Sequence, residues 1–435
     1  MLEAKSTENP MRRVMGLRDF RLLFIGTATS LLGDQFALIA TPWLVLQISG
    51  DPLALGIVLA LEGIPRALFM LVGGAITDRF SPRTIMLIAD AIRFVLTGLM
   101  AVVVFTGVAQ MWMLYAFALA FGLVAGFAIP AGNSFVPMLV DENDLQAGNS
   151  IMMGVAQLVG FVGPTIAGIV IGGHSESLAG IGIAFAIDAV SFAVSAVCMW
   201  LIRMGGRRAG TANLAGSQES IGAAILTGVR YVWKDEGLRV MFIVMASVNF
   251  LIVGPLLVGI PVLADQRLPE GAVAYGLLMS AYAGGNLVGY LLAGALPRPD
   301  GKSMRAILLA LLTAFGLVIG ALAFIYSTWV DFVLLLLLGV GNGYAGITLI
   351  TGMQTRTPRE MLGRMMSLFM LAGTGLVPIS QAISGAVSRW NLNLLFVAAC
   401  LLDLVLVLWT SRQRGLAAFT DHITAEVSVE PAPEG

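Results

Sequence analysis

The sequence predicts an all-α integral membrane protein: twelve transmembrane helices arranged as two six-helix bundles. Three observations carry this expectation. Hydrophobic residues make up 58% of the 435 positions and charged residues only 12%, where soluble domains carry about 25% charged residues. With a mean hydropathy of +0.89, water cannot be the solvent for most of the surface. Runs of roughly 20 apolar residues, enough for a helix to cross a bilayer, recur twelve times, and the first six runs resemble the last six. The same composition excludes disordered, collagen-like and disulfide-stapled chains. A net charge of −1 leaves no nucleic-acid footprint. Cys198 and Cys400 both lie in apolar runs and form no CxxC metal site.

The elements follow in order. A polar segment, 1–19, precedes six apolar runs near 20–49, 53–77, 84–108, 111–138, 146–172 and 179–202. The first run is long and lacks an A-x-A-like cleavage site, so it reads as a retained helix and not a signal peptide. These runs make up an N-terminal bundle, 20–203. A polar linker, 204–238, carries Ile221, Ile225, Val229, Val232 and Trp233 on one helical face, with Arg230 and Lys234 nearby. That pattern suits a helix lying on the membrane surface; a plain solvated connector is the other reading. Runs near 240–264, 272–296, 306–327, 329–355, 363–388 and 392–411 form a C-terminal bundle, 239–411, followed by a tail, 412–435. No run shows the ten-residue apolar/polar alternation of barrel strands.

Every Lys and Arg except Arg66, Arg93, Arg267 and Arg389 falls on one side if both termini are cytoplasmic. The positive-inside rule then places the chain in the cell membrane with both ends inside. A single ungapped offset pairs Trp112 with Trp329, Gly122 with Gly339, Gly126 with Gly343, Leu145 with Leu362, Ser150 with Ser367 and Gly168 with Gly385. Two parallel six-helix halves of this kind are the architecture of a large transporter class, whose bundles rock about a central cavity.

Motifs narrow the class. Between the second and third runs the chain reads Gly73-Gly74-Ala75-Ile76-Thr77-Asp78-Arg79-Phe80-Ser81-Pro82-Arg83. This resembles the G-x-x-x-D-R-x-x-x-R loop of the major facilitator superfamily. The resemblance implies that Gly74, Asp78, Arg79 and Arg83 form a conformational latch. In the fifth run, Gly160 to Gly168 looks like the G-P-x-x-G signature of the superfamily's antiporters. It implies a helix bend at Gly163, Pro164 and Gly168 that favours export, although Val159 stands where a further glycine is usual. The equivalent place in the eleventh run has Ser380-Gln381. Further phrases, among them Phe20-Arg21-Leu22-Leu23, Pro42-Trp43-Leu44 and Asp188-Ala189-Val190-Ser191-Phe192, are similar to the bacterial drug- and siderophore-exporting branch. That branch includes macrolide-efflux and enterobactin-exporter proteins. Many proton-coupled relatives carry an arginine in the fourth helix; this chain has no Lys or Arg from Phe94 to Asn133.

Ionisable groups inside a span are functional candidates by default. Asp34, Glu62, Arg66, Asp90, Arg93 and Asp188 all lie in the first six runs, whereas only Asp403 sits well inside a later one. Glu62 with Arg66, and Asp90 with Arg93, share helical faces. At about 1.5 Å per residue, Asp34 and Arg66 lie at similar depths, roughly 22–24 Å from the outer ends of their runs. A cluster of Asp34, Glu62 and Arg66 is therefore expected, with one carboxylate holding an exchangeable proton. Static ion pairs are the alternative, and they suit Asp90–Arg93 better.

Gln35, Asn133, Asn249, Tyr282, Asn286, Asn342, Tyr344 and Gln381 stand out in apolar surroundings as candidates to line a substrate cavity. Gly301-Lys302-Ser303 resembles the end of a Walker A loop, but Leu296 occupies the first glycine position. No nucleophile or metal motif appears, so an enzyme is not expected. The expectation is an exporter of small amphipathic compounds, acting as a monomer in membrane lipid and driven by a proton gradient without a cofactor. Alternatives are a dedicated exporter of a siderophore or other secondary metabolite, a lipid flippase, or a non-transporting sensor.

Overall fold

The computed structural model describes residues 9–77, 81–174, 177–203, 229–297, 299–357 and 361–425. Among the described residues there is no strand, and twelve helices are long and apolar enough to cross a bilayer. They are α1 (Arg18–Ser49), α2 (Pro52–Thr77), α3 (Pro82–Phe105), α4 (Met111–Asn133), α5 (Leu145–Gly172) and α6 (Ala179–Leu201). The second set is α7 (Glu236–Arg267), α8 (Ala272–Ala295), α9 (Gly301–Ala321), α10 (Thr328–Arg356), α11 (Leu362–Thr374 and Val377–Trp390) and α12 (Leu392–Ser411).

The chain divides into two compact units, Met1–Ser49 with Ile64–Gly216, and Gly50–Gly63 with Ser217–Gly435. This differs from the expected boundaries at α2, whose first half groups with the second unit. The reason is a backbone crossing: a Cβ on Gly56 would fall 3.0 Å from Gly385 Cα, and one on Gly385 would fall 2.9 Å from Gly56 Cα. Small residues let helices approach this closely, and close packing drives association in lipid. Pro378 packs on Gly63 two turns away along α11, and Asp51 pairs with Arg389 at 3.7 Å.

In the first unit α1 lies along α6 through the same device. Gly26 faces Ser195 and Cys198, and Gly33 faces Ser191 and Asp188. The amino-terminal segment is not featureless. Asn9 caps a short helix, Pro10–Gly16, by accepting from Met11 N at 3.0 Å. Val14 is fully buried with Phe20, Phe135 and Met199, and Arg13 Nε donates to Asp144 Oδ2 at 2.6 Å.

In the second unit two helices are interrupted. α7 starts at Glu236 and not near 240, because Asp235 accepts from Leu238 N at 2.9 Å and caps it. The expected linker therefore ends in helical residues 229–234, with Val232 buried and Trp233 exposed; Ile221 and Ile225 lie outside the described residues. Midway, α7 widens into a π turn at Asn249–Val253 immediately before Gly254-Pro255. Pro255 has no N–H to give to the preceding turn, so the regular ladder cannot continue there. The π turn is the way α7 stays helical across the defect. The eleventh run, expected as one helix over 363–388, breaks at Gly375–Leu376. Pro378, in the first turn of the second piece, has no N–H to give to the turn before it, which places the break ahead of Ser380-Gln381. The tail from 412 contains a helix, Arg414–Ala425, in which Leu416, Phe419 and Thr420 are buried.

Candidate functional site

Two features of the helix packing hold the candidate chemistry, one in each unit. In the first unit, α1, α3 and α6 bring together acids that are far apart in sequence. Asp188 of α6 is fully buried. Asp34 of α1 and Arg93 of α3 both lie within electrostatic reach of it. Gly33 makes this possible, since any side chain there would collide with Ser191 and Asp188. The single Ser191 hydroxyl proton goes to the Asp188 main-chain carbonyl at 2.7 Å. Both Asp188 carboxylate oxygens are then left without a hydrogen-bond partner among the described residues. An ionised carboxylate so placed is costly.

Asp90 and Arg93, expected as a static pair, have further contacts. Ser195 Oγ donates to Asp90 Oδ2 at 2.7 Å. The Arg93 guanidinium lies 5.3 Å from the Phe121 ring centre and 5.4 Å from that of Phe192, within cation–π range. Arg93 is thus held between two rings, with Asp90 and Asp188 both feeling its charge. Sequence reading missed Ser191, Ser195, Phe121 and Phe192. Ser191 and Ser195 fall three and seven residues after Asp188, on one helical face, which was the available signal. Glu62 is half-buried and Arg66 exposed on α2; the Arg66 main-chain oxygen borders Gly126, where α2 crosses α4.

Of the latch residues, Gly74 lies in the helical backbone of α2, and Asp78 and Arg79 lie outside the described residues. Arg83 donates from Nε to Met199 O at 2.9 Å and from Nη2 to Trp200 O at 2.6 Å. It satisfies carbonyls in the last turn of α6, which have no intrahelical partners. In α5, Gly163, Pro164 and Gly168 are buried within one continuous helix. Gly163 leaves room for Gln35, whose Cγ would lie 2.5 Å from an added Cβ. Gln35 therefore packs against the antiporter-like motif.

The second unit encloses a cavity of about 320 Å³ reaching from the π turn of α7 to the end of the unit where α7 begins and α12 ends. Asn249, Tyr282 and Asn342, three of the expected cavity residues, line it. Four glycines set their positions. Gly285 and Gly289 of α8 cross Gly339 and Gly343 of α10 backbone to backbone; a Cβ on Gly289 would meet Gly343 Cα at 3.0 Å. Across this crossing Asn342 Nδ2 donates to Asn286 Oδ1 at 2.7 Å, while Asn286 Nδ2 donates to Tyr282 O at 2.9 Å. Asn249 Nδ2 donates to Met245 O at 2.9 Å beside the π turn. Asn286 is thus a buried support for Asn342 and does not itself line the cavity. Asn133 is exposed at the end of α4, Tyr344 is half-buried on α10, and Gln381 is buried where α11 meets Gly56. No group of three or more His, Cys, Asp or Glu suited to a metal ion occurs among the described residues.

The family described as transmembrane secretion effector matches residues 6–427, almost the whole chain. The chain belongs to that family, in the major facilitator superfamily. Among its relatives, the multidrug efflux pump Tap of Mycobacterium tuberculosis is 26% identical over 381 residues, 84% of this chain and 85% of that protein. Tap of Mycolicibacterium fortuitum is 27% identical, covering 84% and 88%. An MFS-type transporter of Sinorhizobium fredii is 25% identical over 92% and 95%. Among solved structures, nucleoside transporter NupG superposes with a TM-score of 0.68 over 91% of this chain and 99% of that one, at 14% identity. A bacterial homologue of ferroportin gives 0.64 over 91% and 99%, at 20% identity. These likenesses show the fold. This secretion-effector protein is a multi-pass membrane transporter, and the twelve-helix expectation holds.

Proposed function

We propose that this transporter exports small amphipathic or lipophilic compounds across the cytoplasmic membrane by proton antiport and alternating access. The observation that carries the reading is the Asp188 carboxylate, fully buried, without a hydrogen-bond partner among the described residues, and facing Asp34. Two acids and one guanidinium in a low-dielectric site hold a proton more readily than two negative charges. Proton uptake from one side and release to the other changes the charge that Arg93 sees, and this supplies the energetic link between gradient and conformation. Intramembrane acids commonly serve as such relays. Glu62, Arg66 and Asp90 are further residues assigned to coupling in this reading, and the loop from Gly73 to Arg83 to the latch.

Export and breadth of substrate are supported by relatives that carry the name multidrug efflux pump. The placement of Lys and Arg supports both termini in the cytoplasm. One chain supplies both six-helix sets, so the monomer is the working unit.

The test is uptake into inverted membrane vesicles under an imposed pH gradient, across a panel of antibiotics, dyes and siderophores. Asp188→Asn and Asp34→Asn should each insert and fold normally yet lose gradient-driven uptake. Full gradient-driven uptake by both variants would overturn proton coupling at this cluster.

A further inference from the structure

The cavity in the second unit has two properties that proton coupling leaves unexplained. None of its lining side chains is charged. Its polar side chains are few: Asn249 in the π turn, Asn342, the phenols of Tyr282 and Tyr290, and Thr410 near the exit of α12. Thr410 is fully buried, and its hydroxyl has no hydrogen-bond partner among the described residues. An unsatisfied buried hydroxyl lining a largely apolar cavity is a group prepared for a ligand. The rest of the wall is thioether and hydrocarbon, including Met241, Met245 and Leu312, and methionine adapts to ligands of different shape.

The end near Thr410 is covered by the C-terminal helix. Leu416 lines the cavity, and Phe419 and Thr420 beside it are buried. Two glycines seat this helix. Gly415 lies against the backbone of Glu236 at the start of α7, where an added Cβ would also meet Val240 Cγ2 at 2.9 Å. Gly301, at the start of α9, lies against Asp421, whose Cα would be 3.1 Å from an added Cβ. Arg356, at the end of α10, holds both sides of the seat: it pairs with Asp235 at 3.7 Å and stacks 5.9 Å from the Phe419 ring centre. The helix therefore touches the starts of α7 and α9 and the end of α10.

We propose that this cavity is a binding site for uncharged, largely apolar molecules carrying one or two hydrogen-bonding groups, and that the C-terminal helix is its lid. Ligand enters when the helix lifts from Glu236 and Gly301, its hydrogen-bonding group is taken by Thr410 or by Asn249 and Asn342, and the helix then re-seats over it. A charged compound is excluded because no lining group offsets the loss of its hydration.

The experiment uses the full chain in lipid nanodiscs without a pH gradient, so that ligand binding and proton coupling are read separately. Cys198 and Cys400 are replaced by Ala, and Leu349→Cys places a thiol in the cavity wall. A water-soluble maleimide should label this thiol slowly. Gly415→Leu, which cannot seat against Glu236, should raise the labelling rate at least tenfold. Phe419→Ala, which loosens the lid without a clash, should raise it in the same direction. Saturating N-phenyl-1-naphthylamine, an apolar amine with one N–H group, should slow labelling at least tenfold in the parent, and a permanently cationic dye of similar size should not. Equal rates with the lid seated and displaced would overturn the lid, and absence of protection by the neutral probe would overturn the site.

Discussion

The crossing of α8 and α10 sets the geometry of the cavity, and one added methyl group tests it. Gly343→Ala places a Cβ 3.0 Å from both Cα and the carbonyl carbon of Asn286, and closer still to its carbonyl oxygen. Ordinary contact begins near 3.4 Å, and all three atoms are backbone, so neither helix can relieve the clash by a rotamer change. The helices must part by roughly 1 Å, at an overpacking cost of about 1–3 kcal/mol. That movement would carry the 2.7 Å Asn342–Asn286 hydrogen bond beyond bonding range, which in membrane helices costs a further ~0.6 kcal/mol. Against this, alanine in place of glycine favours the helix by about 0.8–1.0 kcal/mol. The net expectation is a loss of about 1–3 kcal/mol. Gly346, three residues along the same helix, has nothing within 4 Å of an added Cβ. Gly346→Ala should therefore be neutral or slightly stabilising. Unfolding of both variants in detergent titrated with SDS measures the difference. Equal stability of the two would refute the argument that the crossing is held by backbone contact.

Other perturbations test separate links. Arg83→Met removes both hydrogen bonds to the last turn of α6 and should lower stability by about 1–2 kcal/mol in thermal unfolding, the low end because the site is partly exposed; an unchanged melting profile would count against it. Gly56→Val should separate α2 from α11, so that cysteines replacing Asp51 and Arg389 crosslink at least tenfold more slowly than in the parent; an undiminished rate would show that the crossing does not hold this end. The Ser303 hydroxyl holds the Asp300 carboxyl below its ordinary value of 3.8. A carboxyl lowered by folding adds stability above its unfolded value and loses it as pH falls through the folded one. Ser303→Ala should thus reduce stability at about pH 6 and make little difference at about pH 2; a loss of equal size at both would remove this contact as the cause.

Much of the fold was legible because the bilayer imposes a length and a polarity on each helix. All twelve spans were visible as apolar runs, and their ends shifted by only a few residues. Where expectation and structure differ, the cause is local backbone chemistry or contacts distant in sequence. Pro255 turns part of α7 into a π turn, and Pro378 splits α11. Hydropathy does not register either effect. The Arg414–Ala425 helix lies in a segment too polar to count as a span, and only its seat on Glu236 and Gly301 gives it a place.

The site divides in the same way. The sequence singled out Asp34, Glu62, Arg66, Asp90, Arg93, Asp188 and Asp403, since such groups are rare enough to be conspicuous, but not Asp331, which is fully buried in α10. It grouped Asp34 with Glu62 and Arg66 from depth along the helices, and gave Asp188 no partner. The structure puts Asp188 beside Asp34 because Gly33 lets α1 close onto Ser191, and it surrounds Arg93 with Phe121 and Phe192. Likewise, Asn249, Tyr282 and Asn342 were visible as polar residues in apolar runs, but the four glycines of α8 and α10 decide that they share one cavity. By itself, then, the sequence determined the solvent, the number of spans, the repeat and the family, because each depends on residue type and spacing along the chain. The tertiary structure alone decided which acid faces which, where the cavity lies and what covers it. Those depend on how closely helix backbones approach, and that distance is set by glycines on two helices at once.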